Sequence, residues 1–247
     1  MKINVLFSPS LVDELYFTGK TTVVIDVLRA TSTIIEALNN GAKEVIPVNT
    51  FEFALKASGS IFGGQTILGG EKNTKKIESF NLGNSPLEYT KEVVAGKSII
   101  LFTTNGSKAI VKAKFSEHLL ICAFTNLSYV AKFLIENGKD FEILCSGRAG
   151  GFSIEDTICA GRLISEIEEQ GHEMMLSDSG RAAKYLSKFL GKSVRKMLAD
   201  SEHGKLLAEN EFQADIEFCS SVNTMNLLPI YSNGSIKILP NKNESEL

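Results

Sequence analysis

An acid, an arginine and two hydroxyl side chains follow an apolar segment near the start of the chain. Asp26 comes directly after the largely apolar residues 22–25, and Arg29, Thr31 and Ser32 follow it closely. The apolar residues suit a buried strand, and later apolar residues at helical spacing predict a helix that Thr31 or Ser32 caps. Because a helix N-terminus and an arginine both attract anions, this turn is suited to holding phosphate or sulfonate.

Asp26 is at odds with an anion site, because a carboxylate repels a phosphate unless a cation lies between them. Its position therefore suggests a metal ion. A simpler interpretation stays open, in which Asp26 caps the helix or pairs with Arg29, since acids are common in the first turn of a helix.

Two later segments repeat this order of an apolar strand, a polar turn and a helix. They are residues 98–111 and residues 141–164. The polar and glycine residues of their turns and first helical turns are Thr103, Thr104, Asn105, Gly106, Arg148, Gly150, Gly151, Glu155 and Asp156. Because strands of a largely parallel sheet end along one edge, we expect the three turns to form one shared site.

Apolar runs alternate with helical patterns along most of the chain, which predicts a three-layer α/β/α fold with a mixed, largely parallel sheet. The part after residue 152 is predicted to be mostly helical, and Asn233-Gly234 predicts a closing hairpin over residues 229–239. Residues 58–70 are glycine-rich and are predicted to form a mobile or ligand-facing loop. We treat residues 1–247 as one α/β domain and leave two similar lobes open. The strands are expected near residues 3–6, 21–26, 44–48, 66–68, 98–103, 118–122 and 141–146, and later helices near 154–169, 181–190, 202–210 and 213–221.

Composition excludes several classes of protein. The chain has 247 residues, of which 43% are hydrophobic, and a formal net charge of −3. It lacks a basic run interleaved with aromatic residues, so nucleic acid is not expected as a partner. Its cysteines and histidines lie too far apart for a zinc motif, and its longest apolar run is too short for a bilayer. We expect a cytoplasmic protein that does not contact a membrane.

Familiar phosphate-binding motifs are missing. Gly-Lys-Ser or Gly-Lys-Thr occurs three times, but none has the earlier glycine of a P-loop. No G-x-G-x-x-G follows a strand, which argues against a dinucleotide site. Leu28 stands where a haloacid-type phosphatase needs a second aspartate, and Gly151 stands where a cysteine phosphatase needs its arginine after Cys145. Both covalent routes therefore lose support.

Five segments together resemble the 2-phosphosulfolactate phosphatase family, and the resemblance covers essentially the whole chain. They are DVLRATST at residues 26–33, Gly-Gly-Glu at 69–71, F-x-x-G-N-S-P at 80–86, T-T-N-G-S at 103–107, and C-S-G-R-x-G with a following Glu-Asp pair at 145–156. The resemblance implies an α/β/α fold and a Mg²⁺-dependent phosphatase. Its implied reaction is hydrolysis of 2-phospho-3-sulfolactate to 3-sulfolactate and phosphate, on a route to coenzyme M.

Residue chemistry assigns roles within that reaction. Mg²⁺ prefers oxygen ligands, and the expected ligands are Asp26, Glu71 and Asp156, with Glu155 as an alternative. The nucleophile is expected to be water activated by the metal, with Ser32 or Asp26 as a covalent alternative. Catalysis is assigned to Asp26, Arg29, Ser32 and Asp156. Substrate binding is assigned to Arg29, Thr31, Ser32, Asn84, Thr104, Asn105, Gly106, Arg148, Gly150 and Gly151, with Arg148 suited to the sulfonate or carboxylate.

Three other interpretations stay open. The substrate could be another phosphorylated hydroxy acid, because related acids carry similar charges. A nonenzymatic anion-binding module could use the same turns, although it gains nothing from carboxylates beside the anion. A nucleotide-dependent transferase is disfavoured by the missing nucleotide motifs. Periodicity does not reveal the oligomeric state, and a homo-oligomer is left open.

Overall fold

The structure is a computed structural model that describes residues 1–60 and 66–240, without the side chains of residues 57–60. Its strands are β1 Lys2–Leu6, β2 Thr21–Ile25, β3 Glu44–Val48, β4 Thr66–Lys72, β5 Lys75–Lys76, β6 Ser98–Phe102, β7 His118–Cys122, β8 Phe141–Cys145, β9 Met175–Leu176, β10 Pro229–Ser232 and β11 Ser235–Ile238. Its helices are α1 Ala30–Asn39, α2 Phe51–Ser60, α3 Lys91–Val94, α4 Gly106–Lys112, α5 Leu127–Asn137, α6 Ile154–Glu169, α7 Asp178–Leu190, α8 Val194–Asp200, α9 Glu202–Glu209 and α10 Gln213–Cys219.

The strands form one mixed sheet in the order β5-β4-β6-β3-β11-β10-β7-β2-β8-β1-β9. Strands β4, β6 and β3 are parallel to their neighbours within that group. Strands β7, β2, β8, β1 and β9 form a second parallel group. The hairpin β10–β11 pairs antiparallel with β7 on one side and with β3 on the other, and so joins the two groups.

Helices pack against both faces of the sheet. Successive side chains of a strand point to opposite faces, so one strand contributes to the core on both sides. In β2, Val23 and Ile25 belong to a buried cluster with residues of α5 and α6. Val24 belongs to a different cluster with residues of α1 and α4. A sheet between two helical layers confirms the predicted α/β/α fold, and helices α6 to α10 confirm the mostly helical part after residue 152.

Two local predictions were wrong. The loop predicted over residues 58–70 is partly regular structure, because residues 58–60 belong to α2 and residues 66–70 belong to β4. Strand β4 confirms the strand expected near residues 66–68 and is longer than expected, while residues 61–65 lie outside the described part. A strand tolerates Gly70 here because its Cα lies against the backbone of Phe102, where a side chain would collide.

The predicted hydroxyl cap of α1 is also absent. The helix begins at Ala30 after Arg29, without a side-chain cap from Thr31 or Ser32. Instead, the Ala30 N–H donates to Asp26 Oδ1 at 3.3 Å. In the described part of the chain, no helix combines the length and the apolar character that crossing a membrane requires.

Candidate active site

A small cavity lies at the carboxyl ends of β2, β4 and β6. Its volume is about 10 Å³, which is room for about one water-sized ion. Five residues from the predicted site line it, namely Asp26, Arg29, Glu71, Asn84 and Asn105. We call it the carboxylate cavity, and the rest of its lining is Leu28, Thr74, Thr103 and His203.

The Asp26 carboxyl group is buried in the wall of this cavity, with 6% of the residue exposed. Burial raises its pKa to about 6 and the nearby Glu71 carboxylate adds to the rise, whereas His203 opposes it. The start of α4 lies so close that a methyl group added to Gly106 would collide with the carboxylate. Asp26 is therefore a buried acid whose ionised form needs a compensating positive charge.

Glu71 extends from β4 toward the same cavity and is held in place by three hydrogen bonds. Its Oε1 accepts from the Thr104 N–H at 2.7 Å. Its Oε2 accepts from the Thr74 N–H at 2.7 Å and from the Thr104 hydroxyl at 3.1 Å. These donors belong to the turns after β4 and β6, so the carboxylate position is fixed by two strand ends.

The oxygen of Asn84 is the third candidate ligand on this cavity. Asn84 Oδ1 is buried and finds no hydrogen-bond partner in the described part of the chain. An unpaired buried oxygen is costly, and a bound cation or donor would satisfy it. No three acidic, histidine or cysteine side chains converge into a metal cage within the described residues. Mg²⁺ commonly needs only one or two carboxylates, with waters and substrate oxygens completing its shell, so Asp26, Glu71 and Asn84 fit it.

Arg29 lies on the cavity and is fixed from behind by contacts with the C-terminal helices. Its Nη1 donates to Asp215 Oδ2 at 2.6 Å, and both side chains are almost fully buried. Its Nη2 donates to the Thr74 carbonyl at 3.0 Å, and its guanidinium lies 4.1 Å from the centre of the Phe212 ring. Ser85 Oγ donates to the other oxygen of Asp215 at 2.6 Å. The guanidinium has five N–H donors, so further donors remain for a ligand.

Thr31 and Ser32 are buried and face the backbone rather than the cavity. The Thr31 hydroxyl donates to the Asp26 carbonyl at 2.8 Å, and the Ser32 hydroxyl donates to the Val27 carbonyl at 2.8 Å. Both bonds hold the turn against the first turn of α1. Phosphate binding by these hydroxyls and nucleophilic attack by Ser32 stay predictions, which this placement does not support.

Asp156 binds the turn that carries Asp26. Its Oδ1 accepts from the Val27 N–H at 2.9 Å, and its Oδ2 accepts from the Ser146 hydroxyl at 3.0 Å. Burial raises the pKa of Asp156 well above its usual value, and the Asp26 charge contributes. Asp156 thus joins the turns after β2 and β8 without lining the carboxylate cavity, and its role as a metal ligand stays a prediction.

A second cavity, of about 750 Å³, borders the first one at His203. We call it the large cavity. Glu155, the alternative metal ligand, lines it and lies 3.6 Å from Nδ1 of His203. Arg148 lines it too and pairs with Glu202 at 3.1 Å. Arg148 therefore lines a different cavity from Arg29, and its binding of the sulfonate or carboxylate stays a prediction.

The other predicted site residues occupy two different environments. Thr104 holds Glu71, Asn105 lines the carboxylate cavity, and Gly106 packs against Asp26. Gly150 and Gly151 are exposed, and the Gly151 N–H donates to the Arg148 carbonyl at 2.9 Å. Anion binding by these two glycine amides stays a prediction.

Three residues of the site escaped sequence analysis, namely Thr74, His203 and Asp215, and Thr103 was expected in the shared turns without a role of its own. His203 and Asp215 lie in the C-terminal helices, far from the strand ends in sequence. Thr74 and Thr103 contribute to the cavity next to Glu71 and Asn105. Of these three, His203 carried a signal, because the resemblance to the family extends to His203-Gly204.

Sequence comparisons with known proteins identify the family of the chain. The sequence model of a family described as 2-phosphosulpholactate phosphatase matches residues 6–234. A Clostridium acetobutylicum protein named "Probable 2-phosphosulfolactate phosphatase" is 39% identical over 236 residues, which cover 96% of this chain and 100% of that relative. A Thermotoga maritima protein of the same name is 40% identical over 215 residues, covering 87% of this chain and 90% of the relative. The chain therefore belongs to the 2-phosphosulfolactate phosphatase family, a family of phosphoric monoester hydrolases.

Proposed function

We propose that this chain hydrolyses the phosphate ester of 2-phospho-3-sulfolactate, releasing 3-sulfolactate and phosphate, with Mg²⁺ as its cofactor. Relatives over nearly the whole chain bear the name of that activity. One observation carries the proposal for this chain: the carboxylates of Asp26 and Glu71, the unpaired Asn84 oxygen and the Arg29 guanidinium surround one cavity. Such a set can hold one cation inside the cavity, with Arg29 in its wall available to the oxygens of a phosphate bound against the cation.

Asp26, Glu71 and Asn84 would hold the magnesium ion. When bound, Mg²⁺ supplies positive charge against the phosphoryl oxygens and favours ionisation of a water molecule. The charge also compensates the two carboxylates, which otherwise repel an anionic substrate. This explains why a buried acid lies beside an arginine that binds anions.

Arg29 is the group on this cavity best suited to the phosphoryl oxygens. Its charge is permanent, and its planar donors match phosphate geometry. Because Asp215 and Thr74 already fix the guanidinium, little side-chain freedom is lost on binding. Asn105 at the start of α4 supplies a neutral donor on the same wall.

Attack by water is the preferred route to phosphate release. Ser32 is fully buried and its hydroxyl is engaged by Val27, which leaves it poorly placed for attack on phosphorus. Asp26 is the remaining covalent candidate. Rapid mixing with substrate, acid quenching and mass spectrometry should reveal no phosphorylated Asp26 or Ser32. A phosphoenzyme that forms and decays at the turnover rate would overturn the water route.

The substrate is tested by a phosphate-release screen with and without Mg²⁺. We expect release from 2-phospho-3-sulfolactate to require Mg²⁺ and to exceed release from phosphoglycolate and 2-phospholactate. A higher rate with another phosphorylated hydroxy acid would reassign the substrate. No release from any of them, together with Mg²⁺-independent anion binding, would favour an anion-binding module. If the product lies on a route to coenzyme M, cells that lack this chain should contain less coenzyme M.

A further inference from the structure

The large cavity lies next to the carboxylate cavity, on the side of α7, α8 and α9. His203 lines both cavities, and Glu155 beside it lines the large one. The carboxylate cavity has about 10 Å³, which leaves no room for the carbon skeleton of a substrate. A substrate whose phosphate lies against Arg29 must therefore place its organic part outside that cavity, and the large cavity adjoins it at His203.

The size of the large cavity exceeds what a three-carbon acid needs. Its volume of about 750 Å³ lies within the range of pockets that enclose drug-sized ligands, roughly 300–1,000 Å³. A three-carbon acid would leave most of this space to water. The volume therefore fits a substrate with a longer or bulkier substituent.

The lining of the large cavity indicates the chemistry of that substituent. Phe152, Phe189 and Leu190 line it and are 51%, 70% and 47% exposed, so they offer apolar surface to a ligand. Lys192 and Lys196 also line it, and neither forms an ion pair with another residue that the structure describes. An apolar group beside a carboxylate would match both kinds of contact.

We propose that this enzyme also accepts phosphate esters of 2-hydroxy acids that carry a bulky apolar substituent, with that substituent in the large cavity. The inference rests on the proposed function, because it assumes that the phosphate is hydrolysed at the carboxylate cavity. It adds a substrate class that the three-carbon acid of the proposed reaction does not represent.

Two substrates that differ only in a ring test the proposal. These are 2-phospholactate and 2-phospho-3-phenyllactate, assayed with Mg²⁺ under identical conditions. We expect kcat/KM to be about tenfold higher for the phenyl compound, mainly through a lower KM. An equal or lower kcat/KM for the phenyl compound would overturn the substrate class while leaving the proposed function intact. If neither these compounds nor 2-phospho-3-sulfolactate is hydrolysed, the proposed function itself fails.

A substitution in α7 then tests whether the substituent binds in the large cavity. Phe189→Ala removes an exposed ring from the large cavity and should lower kcat/KM for the phenyl compound about tenfold, without changing it for 2-phospholactate. Tyr185→Ala is the control, because Tyr185 is 61% exposed on the same helix but lines another cavity. Equal effects of Phe189→Ala on both substrates, or equal effects of the two variants, would refute this location.

Discussion

Asp26 is the residue whose burial and charge conflict most directly. Its folded-state pKa of about 6 lies above the ordinary value of 3.8, chiefly because the carboxyl is buried. The folded state therefore binds the proton more tightly than the unfolded state does. The stability gained from this tighter proton binding is complete below about pH 4 and is lost as the pH rises through about 6.

Asp26→Asn should therefore stabilise the metal-free protein at neutral pH. Asn keeps an oxygen for the Ala30 N–H but cannot ionise. We expect the free energy of unfolding of the variant to exceed that of the wild type by up to ~3 kcal/mol at pH 7, with no gain at pH 4. Urea unfolding in EDTA across this pH range measures it. A difference that does not change with pH would show that Asp26 ionises normally in the folded protein.

Asp215 should affect catalysis through Arg29, which it contacts at the back. Asp215→Asn removes the charge and leaves one acceptor, so the guanidinium should lose its fixed position. We expect kcat/KM to fall about ten- to a hundredfold, and Arg29→Lys to remove most of this sensitivity. Steady-state kinetics of the two single variants and the double variant measure the coupling.

Glu217→Gln on the same helix is the control, because Glu217 pairs with Arg195 on the surface at 3.4 Å. This variant should leave the kinetics unchanged. Additive losses in the Arg29 and Asp215 variants, or an equal loss in Glu217→Gln, would argue against a positioning role for Asp215.

Residue types revealed the side chains that lie on strand ends but not those that come from distant helices. Asp26, Arg29, Glu71, Asn84 and Asn105 stand in conspicuous motifs, and all of them line the carboxylate cavity. Asp215 is an ordinary acid in an amphipathic helix, and 186 positions separate it from Arg29. No feature of the sequence around Asp215 indicates its contact with Arg29.

At the scale of elements, the start of α4 is packed directly against the turn after β2. Gly106→Ala would drive a methyl group into the Asp26 carboxylate and into Ala30. We expect a loss of about 1–3 kcal/mol in stability, because the Ala30 methyl group can move only with the backbone and the buried Asp26 carboxylate is bonded to the Ala30 N–H. We also expect weaker Mg²⁺ activation, since Asp26 must move.

Gly180→Ala is the matched control in the first turns of α7, because the added methyl group would meet its neighbours at 3.4 Å or more. It should be neutral or slightly stabilising. Chemical unfolding and Mg²⁺ titration of activity compare the two variants. Equal stability and equal Mg²⁺ activation of the two variants would mean that the contact between α4 and Asp26 accommodates a methyl group without cost.

Elements with strong local patterns were predictable, and those decided by distant contacts were not. The apolar runs located β2, β3, β7 and the other long strands, and Asn233-Gly234 located the hairpin. The short strands β5 and β9 lack such a pattern, and pairing with β4 and β1 defines them. The hydroxyl cap of α1 was wrong, whereas the alternative in which Asp26 caps this helix agrees with the bond from the Ala30 N–H to Asp26 Oδ1.

At the scale of the whole molecule, the sheet consists of two parallel groups of strands joined by the hairpin β10–β11. The order of strands could not be read from the sequence, because the hairpin lies at the far end of the chain and inserts between β3 and β7. The carboxylate cavity combines residues from both groups, with Asp26 after β2 and Glu71 on β4. A cation bound in the carboxylate cavity would therefore connect the two groups of strands.

Mg²⁺ should therefore stabilise the whole protein rather than one turn. At a concentration about 100 times its Kd, a ligand that binds only the folded state adds about 2.7 kcal/mol. We expect millimolar Mg²⁺ to raise Tm in a single transition, and Asp26→Asn and Glu71→Gln to lose most of this increase. Differential scanning fluorimetry in EDTA, Mg²⁺ and Na⁺ at matched ionic strength measures it. An increase that both variants retain would place the cation elsewhere.

The central claim is that a magnesium ion held in the carboxylate cavity and Arg29 in its wall act on the same phosphate. Its most direct test is the rate of phosphate release from 2-phospho-3-sulfolactate, with Mg²⁺ or EDTA, by the wild type, Asp26→Asn, Arg29→Lys and Glu44→Gln. Glu44 is a buried acid that lines a different cavity and serves as the control. We predict Mg²⁺-dependent release by the wild type and Glu44→Gln, and losses of at least about a hundredfold in the other two. Wild-type rates in Asp26→Asn or Arg29→Lys would contradict the claim.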